Sequence, residues 1–175
     1  MVSAQDLYIK SYPSNPVIFG HAYNISVESF SDDSYVVAGH LNSANTVGSL
    51  FIRMFNKCGN EVWHKEIADS TVQLNFVSLN IDSNQNILIS GLYDQSNQSP
   101  KPYLIKLDKS GNILFSKLLG SVNGYNHLIY STSIAANGDY IIYGMYRYTP
   151  SPPNNQKISI CRLTSNGNVQ WAKNY

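Results

Sequence analysis

Histidine, tyrosine and aspartate side chains recur in the segments that follow the hydrophobic runs of this 175-residue chain. Aromatic rings offer apolar area to a ligand, and neighbouring polar groups fix its orientation, which is the chemistry that binds sugars or peptides. The residues that we predict to line a ligand-binding surface are His40, Tyr93, Asp94, Tyr125, His127, Tyr146 and Tyr148. The alternative, which the sequence leaves open, is that these are ordinary loop residues.

Motifs for catalysis and for metal binding do not emerge from the spacing. Residues 82–86 begin like a calcium loop, but Ile87 stands where that loop needs Gly and Tyr93 where it needs Glu. The four histidines lack the i, i+4 spacing of zinc sites, and no nucleophile motif comes with an identifiable base. We therefore predict no metal, no cofactor and no enzymatic activity.

Three hydrophobic runs that each end in glycine organise the chain. They end at Gly39, Gly91 and Gly144, which lie 52 and 53 residues apart. Each run is followed by a polar loop of variable length, a second hydrophobic run and a Gly-Asn pair. A period of this length indicates a repeat architecture, whose units bury their apolar faces against their neighbours.

Each repeat predicts four antiparallel strands joined by tight turns. Apolar residues two positions apart, such as Val77 and Leu79, are typical of strands. Clusters of Asp, Asn and Gly separate the first strand from the second, and the Gly-Asn pair predicts a two-residue type I′ turn between the third and the fourth. Arg53 is out of phase with the other repeats, which predicts a bulge or register shift in the first one.

An aromatic residue follows each Gly-Asn pair at a constant distance. Trp63, Phe115 and Trp171 each lie four residues after the glycine. They could stack on a quinone cofactor, but an equivalent position in every repeat favours packing between neighbouring repeats. We therefore predict a structural role for these three rings.

Composition argues against two classes of partner. Charged residues make up 13% of the chain and the net charge is +1, so a nucleic-acid backbone would meet few cations. No apolar run reaches the roughly 18 residues that span a bilayer, and the first ten residues lack a signal-peptide core. We expect neither a nucleic-acid partner nor membrane insertion.

Three segments resemble the short bacterial β-propeller repeat. They are Tyr-Val-Val-Ala-Gly at 35–39, Tyr-Leu-Ile-Lys-Leu-Asp-Lys-Ser-Gly-Asn-Ile-Leu-Phe-Ser-Lys at 103–117 and Arg-Leu-Thr-Ser-Asn-Gly-Asn-Val-Gln-Trp-Ala-Lys at 162–173. The turn Asp of the family is kept only as Asp108, and Phe115 replaces its usual Trp. The resemblance implies a propeller fold and favours an extracellular or cell-surface location, and most members of the family have no known function.

The fold predicted for residues 1–175 is a single all-β, propeller-like domain. It would contain three four-stranded antiparallel blades of about 52–56 residues, at 22–66, 74–118 and 127–174. An orphan outer strand is predicted at 5–10, because this segment resembles the end of a fourth strand. A stacked β-solenoid and separate sheets are the alternatives.

Three blades are too few for a closed propeller, so we predict that a partner covers the open faces. Closed propellers usually have four or more blades, so three would leave blade faces uncovered, to be covered by a second copy of the chain or by further blades. We predict a non-catalytic binding or scaffolding module with a protein or glycan ligand. An oligomeric glycan-binding lectin is the alternative, and an enzyme of unknown reaction is the third hypothesis.

Overall fold

The computed structural model describes residues 20–43, 46–68, 72–95, 100–119, 126–147 and 156–175. Within these ranges the chain forms strands and turns, and no helix that could cross a membrane is found there. The strands are β1 (Gly20–Ser29), β2 (Tyr35–Ser43), β3 (Thr46–Phe55), β4 (Glu61–Ile67), β5 (Val72–Ile81), β6 (Ile87–Gln95), β7 (Lys101–Leu107), β8 (Ile113–Leu118), β9 (Asn126–Ile134), β10 (Tyr140–Arg147), β11 (Gln156–Leu163) and β12 (Val169–Asn174).

The strands form three four-stranded antiparallel sheets, which we call units 1, 2 and 3. Unit 1 contains β1 to β4, unit 2 contains β5 to β8 and unit 3 contains β9 to β12, each in sequence order. The predicted all-β, propeller-like fold is confirmed. The predicted orphan strand at 5–10 lies outside the described residues, and the proposed division into blades stays a prediction.

The three units pack face to face around two hydrophobic cores. The first strand of unit 2, β5, contacts β1, β2 and β3 of unit 1, and β9 of unit 3 contacts β5, β6 and β7 of unit 2. Ile89 packs in the core between units 1 and 2, and its neighbour Leu88 packs in the core between units 2 and 3. Because both faces of β6 are covered, its sequence is apolar without alternation.

The glycine that ends each hydrophobic run lies opposite a bulge in the first strand of its unit. A Cβ atom added to Gly91 would overlap the carbonyl oxygen of Asn75, and one added to Gly144 would overlap that of Leu128. The bulge pushes the neighbouring backbone toward the glycine, so a side chain has no room there. This close approach is the physical reason for the most regular feature of the sequence.

The Gly-Asn pairs close three-residue loops, and the prediction of two-residue type I′ turns is wrong. The N–H of Gly59 donates to the carbonyl of Asn56, and the N–H of Asn56 donates to the carbonyl of Asn60. Gly59 has a φ of 75°, so it takes the left-handed position that ends such a loop. The same bonds recur at 108–112 and 164–168.

The bulge predicted in the first unit is present between its third and fourth strands, and the same bulge also occurs in the other two units. The pairing shifts after Met54 in unit 1, after Lys106 in unit 2 and after Arg162 in unit 3. Arg53 is therefore in phase with its counterparts. Its polarity differs because it forms an ion pair with Glu61 at 3.1 Å, with its side chain about one-third exposed.

Candidate functional site

The end of the sheets at which β1, β5 and β9 begin is called the loop end, and of the predicted ligand-binding residues it carries His40, Tyr93, Asp94, His127 and Tyr146. The opposite end, which holds the turns that join the first strand of each unit to the second, is the turn end. In an antiparallel meander the connections alternate between the two ends, so residues about 50 positions apart in the sequence return to the same end. The loop end is therefore the place where distant residues could form one site.

His40 lies at the loop end of unit 1 in a largely buried position. Its side chain is 6% exposed, and its ring stacks on that of Tyr23 with 5.6 Å between centroids. Burial lowers the pKa of His40, because the charged imidazolium would lose its hydration. The atom Nδ1 has no hydrogen-bond partner in the described part of the chain. His40 is thus a neutral ring held in an aromatic stack.

Tyr93 and Asp94 lie side by side near the end of β6, yet they point in different directions. Successive side chains of a strand project from opposite faces of the sheet. Tyr93 packs against the core between units 1 and 2, whereas Asp94 pairs in register with Gln73 of β5. Within the described residues no hydrogen bond, ion pair or ring contact joins either residue to His40.

The other four predicted residues belong to unit 3 and its neighbouring loops. His127 of β9 and Tyr146 of β10 are cross-strand partners, so the backbone register brings these two positions together at the loop end. Tyr125 and Tyr148 lie outside the described residues. The structure therefore places two predicted residues of unit 3 next to each other, in a different unit from His40 and Tyr93.

A cavity of about 490 Å³ opens between units 1 and 2 near Tyr93. Its walls include Ile67 at the end of β4, Leu74 of β5 and Leu118 of β8, together with the rings of Tyr93 and Tyr103. A predominantly apolar cavity of several hundred Å³ that contains a few polar groups is typical of small-molecule sites. Of the predicted residues, Tyr93 lines this cavity, whereas His40 and Asp94 do not.

Tyr103 is the residue of this cavity that the sequence did not reveal. Its side chain is 3% exposed, and its hydroxyl has no hydrogen-bond partner among the described residues. Burial raises the pKa of Tyr103 well above its usual range, so the hydroxyl keeps its proton and is available as a donor. A comparison of the repeats could have found it, because Tyr103 occupies the position that Phe51 holds in unit 1.

Two carboxylates at the turn end, those of Asp82 and Asp108, have structural partners. Asp82 accepts hydrogen bonds from the backbone of Asn84 and Asn86, and Asp108 accepts a bond from the backbone of Asn112. This pattern of backbone N–H groups that donate to an Asp carboxylate explains why the segment 82–86 looks like a cation loop. In the part of the chain that the structure describes, no group of three or more His, Cys, Asp or Glu residues could hold a metal ion.

Two acidic residues stand at the loop end of the described strands. Glu66 of β4 accepts a hydrogen bond from the hydroxyl of Ser49 at 2.6 Å. Asp94 of β6 makes no hydrogen bond or ion pair within the described ranges, and its side chain is partly exposed. Asp94 is therefore the loop-end carboxylate that is available to a ligand.

The fold has a counterpart of known structure. The chain is similar to the endo-arabinase from Bacteroides thetaiotaomicron VPI-5482, with a TM-score of 0.62 and 13% sequence identity. The match covers 94% of this chain and 66% of the endo-arabinase, so the chain spans a little under two-thirds of that enzyme's length. No family model and no curated protein matches the sequence. At this identity the likeness establishes the propeller-like fold.

The prediction of a non-catalytic binding or scaffolding module is contradicted by this comparison, as is the prediction that the chain is not an enzyme. One protein that shares the fold is an endo-arabinase. That prediction rested on the absence of catalytic motifs whose residues are close together in the sequence. In a repeat fold, residues from separate units meet at one end of the sheets, so a catalytic group need not leave a local motif.

Proposed function

We propose that this chain forms part of a propeller-type glycoside hydrolase that acts on an arabinose-containing polysaccharide. The observation that carries the proposal is the likeness to an endo-arabinase over 94% of the chain. The loop end, with the cavity between units 1 and 2, would face the substrate. Because the chain spans 66% of the endo-arabinase, the activity is proposed for the propeller of which these units are a part.

Asp94 is the residue to which we assign a catalytic role. Hydrolysis of a glycosidic bond generally uses two carboxyl groups, one as general acid and the other as nucleophile or general base, placed roughly 5 to 9.5 Å apart. Asp94 supplies one such group at the loop end. Tyr93 lies on the opposite face of β6, at the cavity between units 1 and 2, and would contribute ring surface to a neighbouring sugar of the polymer.

Membership of the short bacterial β-propeller repeat family is part of the same proposal. The three Gly-Asn turns and the aromatic residues that follow them support it. An extracellular or cell-surface location, which that resemblance favours, is where polymeric sugars are met. A second copy of the chain or further propeller blades would cover the open faces of units 1 and 3.

The test is release of reducing ends from arabinan, with xylan and pullulan as comparison substrates. We expect release from arabinan, and we expect Asp94→Asn to lower it about 100-fold or more, because a general acid or base contributes roughly that factor. The matched control is Asp33→Asn. Asp33 is an exposed turn-end residue with a φ of 64°, a conformation that Asn also tolerates. The Asp33→Asn variant should therefore be as active as the wild-type protein.

Two results would contradict the proposal. If no reducing ends are released from any of the three polysaccharides, the proposed activity is wrong. If Asp94→Asn and Asp33→Asn are equally active and circular dichroism shows that both are folded, the catalytic role of Asp94 is wrong.

A further inference from the structure

In units 1 and 2 an aromatic ring covers the glycine that ends the hydrophobic run. Gly39 pairs across the sheet with Phe51, and Gly91 pairs with Tyr103. The ring of Phe51 comes within 2.8 Å of the point where a Cβ of Gly39 would lie, and the hydroxyl of Tyr103 comes within 2.5 Å of the corresponding point on Gly91. The space above the glycine is therefore filled by its cross-strand partner.

Unit 3 lacks this ring. The cross-strand partner of Gly144 is Ser159, and the atoms nearest to a Cβ built on Gly144 belong to the backbone of Leu128 and Ile129. A serine side chain is too short to cover the glycine as Phe51 and Tyr103 do in the other units. The unit that departs from the pattern should therefore contain a void at this point.

A cavity of about 150 Å³ is present at that place, between units 2 and 3. Its walls include Gly144, Ser159, Leu128, Ile129, Ile142 and, from unit 2, Pro102. An apolar cavity of about this volume can accept a benzene-sized molecule. The volume thus corresponds to the ring that the other two units supply from their own sequence.

The chemistry of the wall restricts what could bind. The thiol of Cys161 also lines the cavity, and burial raises its pKa, so it stays neutral near neutral pH. No Asp, Glu, Lys or Arg side chain lines it. A charged ligand would lose its hydration without a counter-charge, so the cavity favours a neutral one.

We propose that the cavity over Gly144 is a binding site for a neutral molecule with one aromatic ring. The ligand would take the place that the rings of Phe51 and Tyr103 take in units 1 and 2. A single hydroxyl on the ring is compatible with the site, because Ser159 offers a hydroxyl at the wall. This cavity lies between units 2 and 3, whereas the cavity assigned to the proposed hydrolase lies between units 1 and 2.

The probes are toluene and p-cresol, which reproduce the side chains of Phe and Tyr. In methyl-selective NMR spectra of the chain, we expect saturable shifts of Leu128, Ile129 and Ile142, with a Kd on the order of 1 mM. The substitution Ser159→Phe supplies the missing ring from the protein itself. It should weaken toluene binding at least tenfold and raise the melting temperature.

The matched control is Ser133→Phe, which adds the same ring at an exposed position of β9. It should leave binding unchanged. If Ser159→Phe does not fold, Ser159→Leu fills less of the cavity and serves in its place. The proposal is overturned if the wild-type methyl signals show no saturable shift, if the shifts lie elsewhere, or if binding survives in the folded Ser159 variants.

Discussion

Gly91 and Gly144 occupy strand positions at which the neighbouring strand bulges toward them, so their backbones meet another backbone directly. Gly39 occupies the same position in unit 1, but the nearest atoms there belong to the side chains of Phe51 and Ile25. A side chain can rotate away from an added methyl group, whereas a paired backbone cannot. Glycine therefore occupies this position in all three units, although backbone atoms crowd it in units 2 and 3 and side-chain atoms crowd it in unit 1.

This difference predicts unequal costs for the same substitution. Gly144→Ala should lower the free energy of unfolding by about 2 kcal/mol or more, because the new methyl group overlaps the carbonyl of Leu128. Gly39→Ala should cost less, since the ring of Phe51 can shift. Urea unfolding followed by circular dichroism measures both values, and equal losses would contradict the explanation from backbone crowding.

At the scale of elements, the third strand of each unit is tied to its first turn by a different pair of residues. In unit 2, Lys106 of β7 forms an ion pair with Asp82 at 2.9 Å, and both side chains are buried. In unit 1, the equivalent positions are held by Met54 and Phe30, which are also buried. Unit 3 uses an ion pair between Arg162 and Asp139 in a more exposed place.

The pKa of Asp82 reflects this environment. Burial by itself would raise the pKa of its carboxyl group, but the hydrogen bonds from Lys106 and Asn86 outweigh burial and lower it. An acid whose pKa is lower in the folded state stabilises the fold above its unfolded pKa. That stabilisation is lost as the pH falls through the folded value.

The substitution Lys106→Met should therefore be strongly destabilising at pH 7, by about 3 kcal/mol, because it leaves Asp82 buried without its counter-charge. The difference from wild type should shrink as the pH falls below about 4, where Asp82 can take up a proton in the variant and the wild-type ion pair is weakened. Urea midpoints at pH 7 and pH 3 measure both effects.

Arg162→Met is the matched control for this prediction. The Arg162 side chain is 32% exposed, so solvent screens its partner and the loss should be smaller. A destabilisation by Lys106→Met that is no larger than that by Arg162→Met, or that does not change with pH, would contradict the role given to burial.

At the scale of the whole molecule, one aromatic contact recurs at both interfaces between units. Trp63 at the end of unit 1 packs on Gly111 of unit 2 and donates from Nε1 to the carbonyl of Lys109 at 3.1 Å. Phe115 of unit 2 packs on Gly167 of unit 3 in the same way. For Trp63 and Phe115 these contacts show the packing between neighbouring units that the sequence predicted, whereas for Trp171 it stays a prediction.

The two outer faces of the three-unit stack remain apolar and exposed. On unit 3, Trp171, Tyr143 and Ile158 are 38%, 43% and 47% exposed, and Trp171 holds the position that Trp63 and Phe115 hold in the other units. On unit 1, Ile25 and Val27 are 58% and 60% exposed. The internal interfaces join the last strand of one unit to the next unit, so the two outer faces are complementary halves of that same interface.

We therefore expect the chain to associate head to tail with a second copy. Trp171→Glu and Ile25→Glu should each raise the dissociation constant at least about tenfold, because a charge would be buried in an apolar contact. Mixing the two variants should restore association in part, because a mixed pair keeps one interface with both native faces. Sedimentation equilibrium measures all four samples.

A wild-type chain that stays monomeric at high micromolar concentration would contradict this expectation. So would association that depends on only one of the two faces, because a head-to-tail contact needs both.

The candidate site was only partly predictable from the sequence. The pattern identified His40, Tyr93 and Asp94 as residues near one end of the sheets, because antiparallel strands fix which end each loop occupies. It did not reveal that His40 is buried in a stack or that Tyr93 and Asp94 face opposite ways. It also missed Tyr103, whose burial depends on packing between units.

The sequence by itself determined the repeat, the strands and the positions of the turns, because glycine, Gly-Asn pairs and alternating apolar residues act through the local backbone. The tertiary structure alone decided which faces of the sheets pack against each other and where the cavities open. It also decided which carboxylates already accept hydrogen bonds or form ion pairs within the protein. Those properties depend on contacts between residues about fifty positions apart, and no local pattern records such contacts.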